Sequence, residues 1–213
     1  HAHAVLDTLP CRNEVSWSAL MAGYAQHEQA HKALDCFDHM QCEGLSLDPI
    51  TFTCALKACG TVRALRKGIQ IHEEIVSRGY LEKDVVLGTA LVDMYAKCDM
   101  LISAQEVLRE ISERTVVSWN ALIDGYVQQG QGYEAFNCFK QMQGEGISPD
   151  VVTFTSILKA CSCIGAIEKG EEMHAEIGRG GLSRDYLVAN ALVDFYMKFG
   201  MMEKCEEVFD SLS

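Results

Sequence analysis

The sequence matches itself when shifted by 102 residues, and this internal repeat constrains the fold more than any other feature. Val15-Ser16-Trp17 recurs as Val117-Ser118-Trp119, Gly23-Tyr24 as Gly125-Tyr126, Cys36-Phe37 as Cys138-Phe139, and Met40-Gln41 as Met142-Gln143. Thr51-Phe52-Thr53 recurs as Thr153-Phe154-Thr155, Leu56-Lys57-Ala58-Cys59 as Leu158-Lys159-Ala160-Cys161, Lys67-Gly68 as Lys169-Gly170, and His72 as His174. One residue is lost near Gly180, so Ala90-Leu91-Val92-Asp93 returns as Ala191-Leu192-Val193-Asp194 at an offset of 101. A chain built this way has no need of one central core, because each unit can bury its apolar face on the next.

Each long period holds three related subunits of about 31 to 36 residues, and each reads as two short helices joined by a turn. Trp119 to Tyr126 carries apolar residues at helical spacing, and Ala135, Phe136, Phe139 and Met142 form a comparable stripe on the second helix. Gly144, Gly146 and Pro149 then close that helix and open the next hairpin. The expected fold is all-α, with almost no strand: about six stacked helix-turn-helix hairpins. Their boundaries are 14–48, 49–84, 85–115, 116–150, 151–185 and a truncated 186–213, after a partial repeat at 1–13. Both ends cut through a repeat, which reads as a piece of a longer array whose exposed ends could self-associate.

The remaining composition narrows the function. No apolar run approaches the roughly 18 residues of a membrane span, so no membrane partner is expected. The ten cysteines sit inside amphipathic helical patterns without a Cys-x-x-Cys pair, which predicts buried thiols, a reducing compartment and no structural zinc. The chain opens His-Ala-His-Ala without a Met, a basic amphipathic leader or a signal-peptide apolar stretch, so any targeting segment is expected to lie outside it. A formal charge of −12 opposes nucleic-acid binding, since Lys and Arg on phosphate usually supply most non-specific affinity.

Three strings, recurring in fixed order, carry a family resemblance: "VVSWNALIDGYVQQGQGYEAFNCFKQMQGEGISPD" at Val116 to Asp150, "VVTFTSILKACSCIGAIEKGEEMHAEI" from Val151, and "ALVDMYAKCDMLISAQEVL" from Ala90. They resemble the pentatricopeptide repeats of the plant type that alternates standard, long and short repeats, over essentially the whole chain. The tetratricopeptide repeat has a similar hairpin but lacks these strings. The resemblance implies a right-handed superhelix, an α-solenoid, whose first helices line an inner groove where each repeat meets one base of single-stranded RNA. It also implies a mitochondrial or chloroplast location, a place in RNA processing or C-to-U editing with editing-complex proteins as partners, and no catalysis or cofactor in this segment.

In the family the fifth and last residues of a repeat choose the base, and the second residue clamps it. The clamp positions here are Val15, Ile50, Val86, Val117, Val152 and Leu187, all apolar. Ser18 with Asp48 resembles the guanine pair, and Asn120 with Asp150 the uracil pair. Thr53 with Asp84 and Thr155 with Asp185 also suggest guanine, but long repeats follow the family code poorly. Thr89 pairs with Thr115, where the family's short repeat ends in Asn or Asp, so no base is assigned. Asn190 suggests a pyrimidine, with its partner beyond Ser213. The 5′ to 3′ reading is G, G, unassigned, U, G, pyrimidine.

Each assignment has a plainer rival. Ser18 and Asn120 could be solvated first-turn residues, and the apolar second residues could staple hairpins together. Trp17 and Trp119 could stack on bases, but their place in the helical stripe favours core packing. Lys97 and Lys198 occupy equivalent sites and are candidates for phosphate contact, against ordinary surface lysine. A deaminase-like His-x-Glu occurs at His72 and His174, but the Pro-Cys-x-x-Cys that zinc deamination needs is missing, so repeat consensus explains both copies. The rival function is a helical-repeat scaffold for protein partners, without RNA binding.

Overall fold

A computed structural model describes residues 14–27 and 29–211; the partial repeat expected at 1–13 lies outside the described residues. Twelve helices and no strand occur among the described residues, in two compact units divided between Arg114 and Thr115. The first unit holds α1 (Glu14–Gln26), α2 (Ala30–Cys42), α3 (Pro49–Val62), α4 (Leu65–Ser77), α5 (Val85–Lys97) and α6 (Leu101–Glu110). The second holds α7 (Val116–Gln128), α8 (Gly132–Gly144), α9 (Val151–Ile164), α10 (Ile167–Arg179), α11 (Tyr186–Lys198) and α12 (Met202–Ser211). No helix among the described residues is long and apolar enough to cross a membrane.

Odd-numbered helices are the first helices of the hairpins and even-numbered ones the second. Within the first unit α1 packs on α3 and α3 on α5, and within the second α7 packs on α9 and α9 on α11. First helices thus form one layer in each unit, and second helices back it. This is an α-solenoid of stacked helical hairpins.

The starts of the first helices follow directly from sequence. Asp48, Asp84, Thr115, Asp150 and Asp185 are the N-cap residues of α3, α5, α7, α9 and α11, and each side chain accepts a backbone N–H from the first turn. Pro49 adds a fixed φ at the first position of α3. In α9 the Asp150 and Thr153 side chains cap each other reciprocally, as do Thr115 and Ser118 in α7. The second helices that have a described N-cap residue begin without a side-chain cap. Packing against the layer of first helices is what holds them.

That packing is dense. Phe37, Phe52, Phe139, Phe195 and Tyr196 are among the largest fully buried side chains. Trp17 and Trp119 are each 3% exposed, so both belong to the core and neither is a stacking platform. The thiols divide. Cys36, Cys59, Cys138, Cys161 and Cys205 are buried, and burial pushes Cys36 and Cys161 up to about 11 and Cys59 to about 12. Cys42 and Cys163 instead lie exposed, in the last turns of α2 and α9, so the expectation of uniformly buried thiols fails there.

Candidate nucleic-acid interface

The six second residues occupy the first turn of the first helices, and all six are exposed, from 50% for Val152 to 74% for Val15. A staple would bury them against a neighbouring turn. Each of the six first helices instead keeps an apolar side chain in water at the same place.

Beside these apolar residues lie expected selectors. In the first unit an open groove of about 420 Å³ is lined by Val15, Ser18 and Ala22 of α1, by Asp48 and by Ile50 of α3. Two apolar side chains, the Ser18 hydroxyl and the Asp48 carboxylate therefore share one groove, together with Glu14 and Ser46. In the second unit a groove of about 440 Å³ is lined by Thr155 and Lys159 of α9 and by Leu187, Asn190, Asp194 and Lys198 of α11.

Two selector pairs are joined by hydrogen bonds. The Asn120 amide donates to Asp150 Oδ1 at 2.9 Å, and the Thr153 hydroxyl lies 2.7 Å from Asn120 Oδ1 and 2.8 Å from Asp150 Oδ1. Asn120 is only 7% exposed, so it is not a solvated first-turn residue. Partial burial of Asp150 would raise its pKa. The backbone N–H and hydroxyl of Thr153, the Asn120 amide and the Val152 N–H outweigh that and hold it below its ordinary 3.8. In the first unit the Thr51 hydroxyl donates to Asp48 Oδ1 at 2.6 Å and lies 2.9 Å from Ser18 Oγ.

The long-repeat pairs are not joined in this way. Thr53 turns its hydroxyl back to the Pro49 carbonyl at 2.8 Å, and Thr155 to the Val152 carbonyl at 2.9 Å. Asp84 and Asp185 cap their helices through Oδ1, at 3.0 Å from Leu87 N and 2.9 Å from Leu187 N. Thr89 is half-buried on α5, while Thr115 caps α7 in the other unit. Lys97 is tied to Asp93 at 2.7 Å, one turn back on α5, whereas Lys198 is exposed and lines the groove of the second unit two turns along α11 from Asn190.

Thr51 and Thr153 are fully buried, and sequence reasoning did not single them out. The available signal was the Asp-x-x-Thr spacing at 48–51 and 150–153, a capping-box arrangement with a hydroxyl in place of the usual Glu. The His-x-Glu motifs have a packing role. His72 Nδ1 meets Tyr95 Oη at 2.9 Å and His174 Nδ1 meets Tyr196 Oη at 2.8 Å, joining α4 to α5 and α10 to α11.

Comparisons with known proteins agree with this architecture. The PPR repeat family matches residues 12–61 and 114–163, and the PPR repeat matches 89–116, 152–182 and 188–213. One pentatricopeptide repeat-containing protein of Arabidopsis thaliana is 40% identical over 99% of this chain and 31% of its own length. A mitochondrial one is 36% identical over 99% of this chain and 20% of its length, and a chloroplastic one 33% identical over 94% and 23%. The chain thus spans about a third or less of these relatives. Among solved structures, the pentatricopeptide repeat protein PPR10 in complex with an 18-nt psaJ RNA element aligns with a TM-score of 0.81 at 21% identity, covering 99% of this chain and 32% of that one.

Proposed function

The chain belongs to the pentatricopeptide repeat family, and from that premise we propose that it binds single-stranded RNA sequence-specifically, one base per repeat. One observation carries the reading furthest: the groove that Val15 and Ile50 share with Ser18 and Asp48. A nucleobase has two apolar faces and a polar edge, and this groove offers apolar and polar groups together.

The bonds inside the two joined pairs say which edge each would take. A carboxylate only accepts, so the Asn120 face turned to Asp150 is the NH2, and one amide proton with one carbonyl lone pair stays unengaged within the chain. One donor beside one acceptor matches a pyrimidine edge such as uracil. In the first unit Thr51 gives its proton to Asp48, so Ser18 donates to Thr51 and offers acceptors outward, beside the unengaged Oδ2 of Asp48. Two acceptors match the paired N–H donors of guanine.

The finer assignments are part of the same proposal. The six apolar second residues clamp the bases, and Lys198 serves phosphate better than Lys97, which Asp93 already engages. The alternation of standard, long and short repeats is supported by the different bonding of their selectors: joined in 14–48 and 116–150, back-bonded in 49–84 and 151–185. The mitochondrial and chloroplastic relatives support an organellar location, and the repeat order supports a role in RNA processing or editing within a larger protein that recruits editing partners. Catalysis is assigned to none of these residues.

Replacing Asn120 by Thr tests the reading. Anisotropy titrations with four short RNAs differing only at the base opposite 116–150 should favour uracil for the parent chain. The variant should move the uracil-to-guanine ratio toward guanine by about tenfold, equivalent to roughly 1.4 kcal/mol. Equal binding of all four RNAs by both proteins would favour the protein-scaffold reading instead.

A further inference from the structure

Thr51 and Thr153 belong to the repeat that follows each joined selector pair, are fully buried, and hold both members of the pair. We propose that these two threonines are positioning residues for base discrimination, fixing the direction in which the selector beside them donates. The proposal rests on the single-stranded RNA reading above.

The argument is one of proton count. Thr51 Oγ1 has a single proton, and a carboxylate oxygen at 2.6 Å holds it. Ser18, 2.9 Å away, can then engage Thr51 only by donating, so its own proton points away from the groove. Without Thr51 the Ser18 hydroxyl would rotate freely and present a donor or an acceptor at will. Guanine offers N–H groups there, while adenine offers a ring-nitrogen acceptor at the corresponding place. A serine locked as an acceptor tells the two apart; a free one does not.

Thr153 acts on a carboxamide. Its one proton is shared between Asn120 Oδ1 at 2.7 Å and Asp150 Oδ1 at 2.8 Å while the Asn120 NH2 donates to Asp150, so the amide is held with NH2 toward Asp150 and oxygen toward Thr153. After the two long repeats the device is missing. The third residues of the repeats after the two long ones are Leu87 and Val188, both fully buried and without a hydroxyl. In those repeats Thr53 and Thr155 bond to their own helix backbone. Discrimination is therefore a property of the junction between two repeats, and the hydroxyl of the downstream repeat supplies it.

The test uses the full 213-residue chain and short single-stranded RNAs carrying G or A opposite 14–48, with each ratio measured on one protein so that a general loss of affinity cancels. Thr51→Val keeps the volume and removes the hydroxyl; it should reduce the G-over-A ratio about tenfold, mainly through better adenine binding, and Thr51→Ser should restore it. Thr51→Cys, a weaker donor, is the second variant in case the valine chain fails to fold, and it should lose the ratio in part. For Thr153→Val, the Asp150 carboxyl should titrate higher by NMR and the uracil preference opposite 116–150 should fall. Valine or cysteine variants with the parent G-over-A ratio overturn the proposal. A parent chain that shows no preference at all overturns the RNA reading itself, and the proposal with it.

Discussion

The two histidines joined to tyrosines carry a measurable consequence at the scale of single residues. Burial lowers the pKa of both His72 and His174 below the ordinary 6.5, and His72 Nε2 is buried with no hydrogen-bond partner. The unfolded chain therefore binds protons more readily than the folded one near neutrality. Stability is complete above about pH 6.5 and declines as the pH falls through that value toward the depressed folded pKa values. The urea midpoint should drop between about pH 7.5 and 5.5, and a His72→Gln/His174→Gln chain, still able to hydrogen-bond both tyrosines, should show a flatter profile. An unchanged profile would place the pH dependence elsewhere. At this scale the family resemblance and the repeat register together named the candidate selector positions. They could not show that Thr153 bonds to both Asn120 and Asp150, because Thr153 comes from the following repeat and its contact with Asn120 exists only once the first helices stack.

At the scale of the helices, the recurring Lys-Gly of the second helices marks close approach. A Cβ at Gly170 would lie 1.9 Å from Phe195 Cζ, and one at Gly68 would lie 2.4 Å from Met94 Sδ. Alanine improves intrinsic helix propensity by roughly 1 kcal/mol at either site. Phe195 is a buried ring packed on Tyr196 and Phe199, whereas Met94 has an unbranched thioether that can move aside. Gly170→Ala should therefore destabilise by about 1–3 kcal/mol, as overpacking does, while Gly68→Ala should be close to neutral in the same urea titration. Equal effects would show that the aromatic wall yields as easily as the thioether. The residue missing near Gly180 is also explained by element structure. It is taken from the connection after α10, between Gly181 and Asp185, which is one residue shorter than that between Gly79 and Asp84, so the helices on either side keep their register. Helix existence and pairing were readable because the apolar period and the glycines agree. The partners of each glycine were not, since they lie on helices farther along the chain.

For the whole molecule the question is where the charge of −12 resides. The first helices carry four acids, Glu14, Asp93, Asp124 and Asp194, against four bases, Lys57, Lys97, Lys159 and Lys198. The second helices carry fifteen acids against eight bases. With Asp48, Asp84, Asp150 and Asp185 at their N-caps the first helices carry eight acids against four bases, so acids outnumber bases about two to one on both layers. With at most four lysines available to phosphate, the logarithmic salt slope for single-stranded RNA should be no steeper than about −3, and Lys198→Ala should reduce it by about 0.7. A steep slope unaffected by Lys198→Ala would place the contacts on other residues. The end-of-repeat carboxylates extend this argument beyond charge. Because Asp48, Asp84, Asp150 and Asp185 begin the following helices, a mutation at any of these four that rewrites the preferred nucleotide also rewrites a fold-initiating contact. On the proposed reading, then, drift at these four positions is confined to the few side chains able to start a helix, and half of each recognition pair is drawn from the letters that the architecture itself spells with.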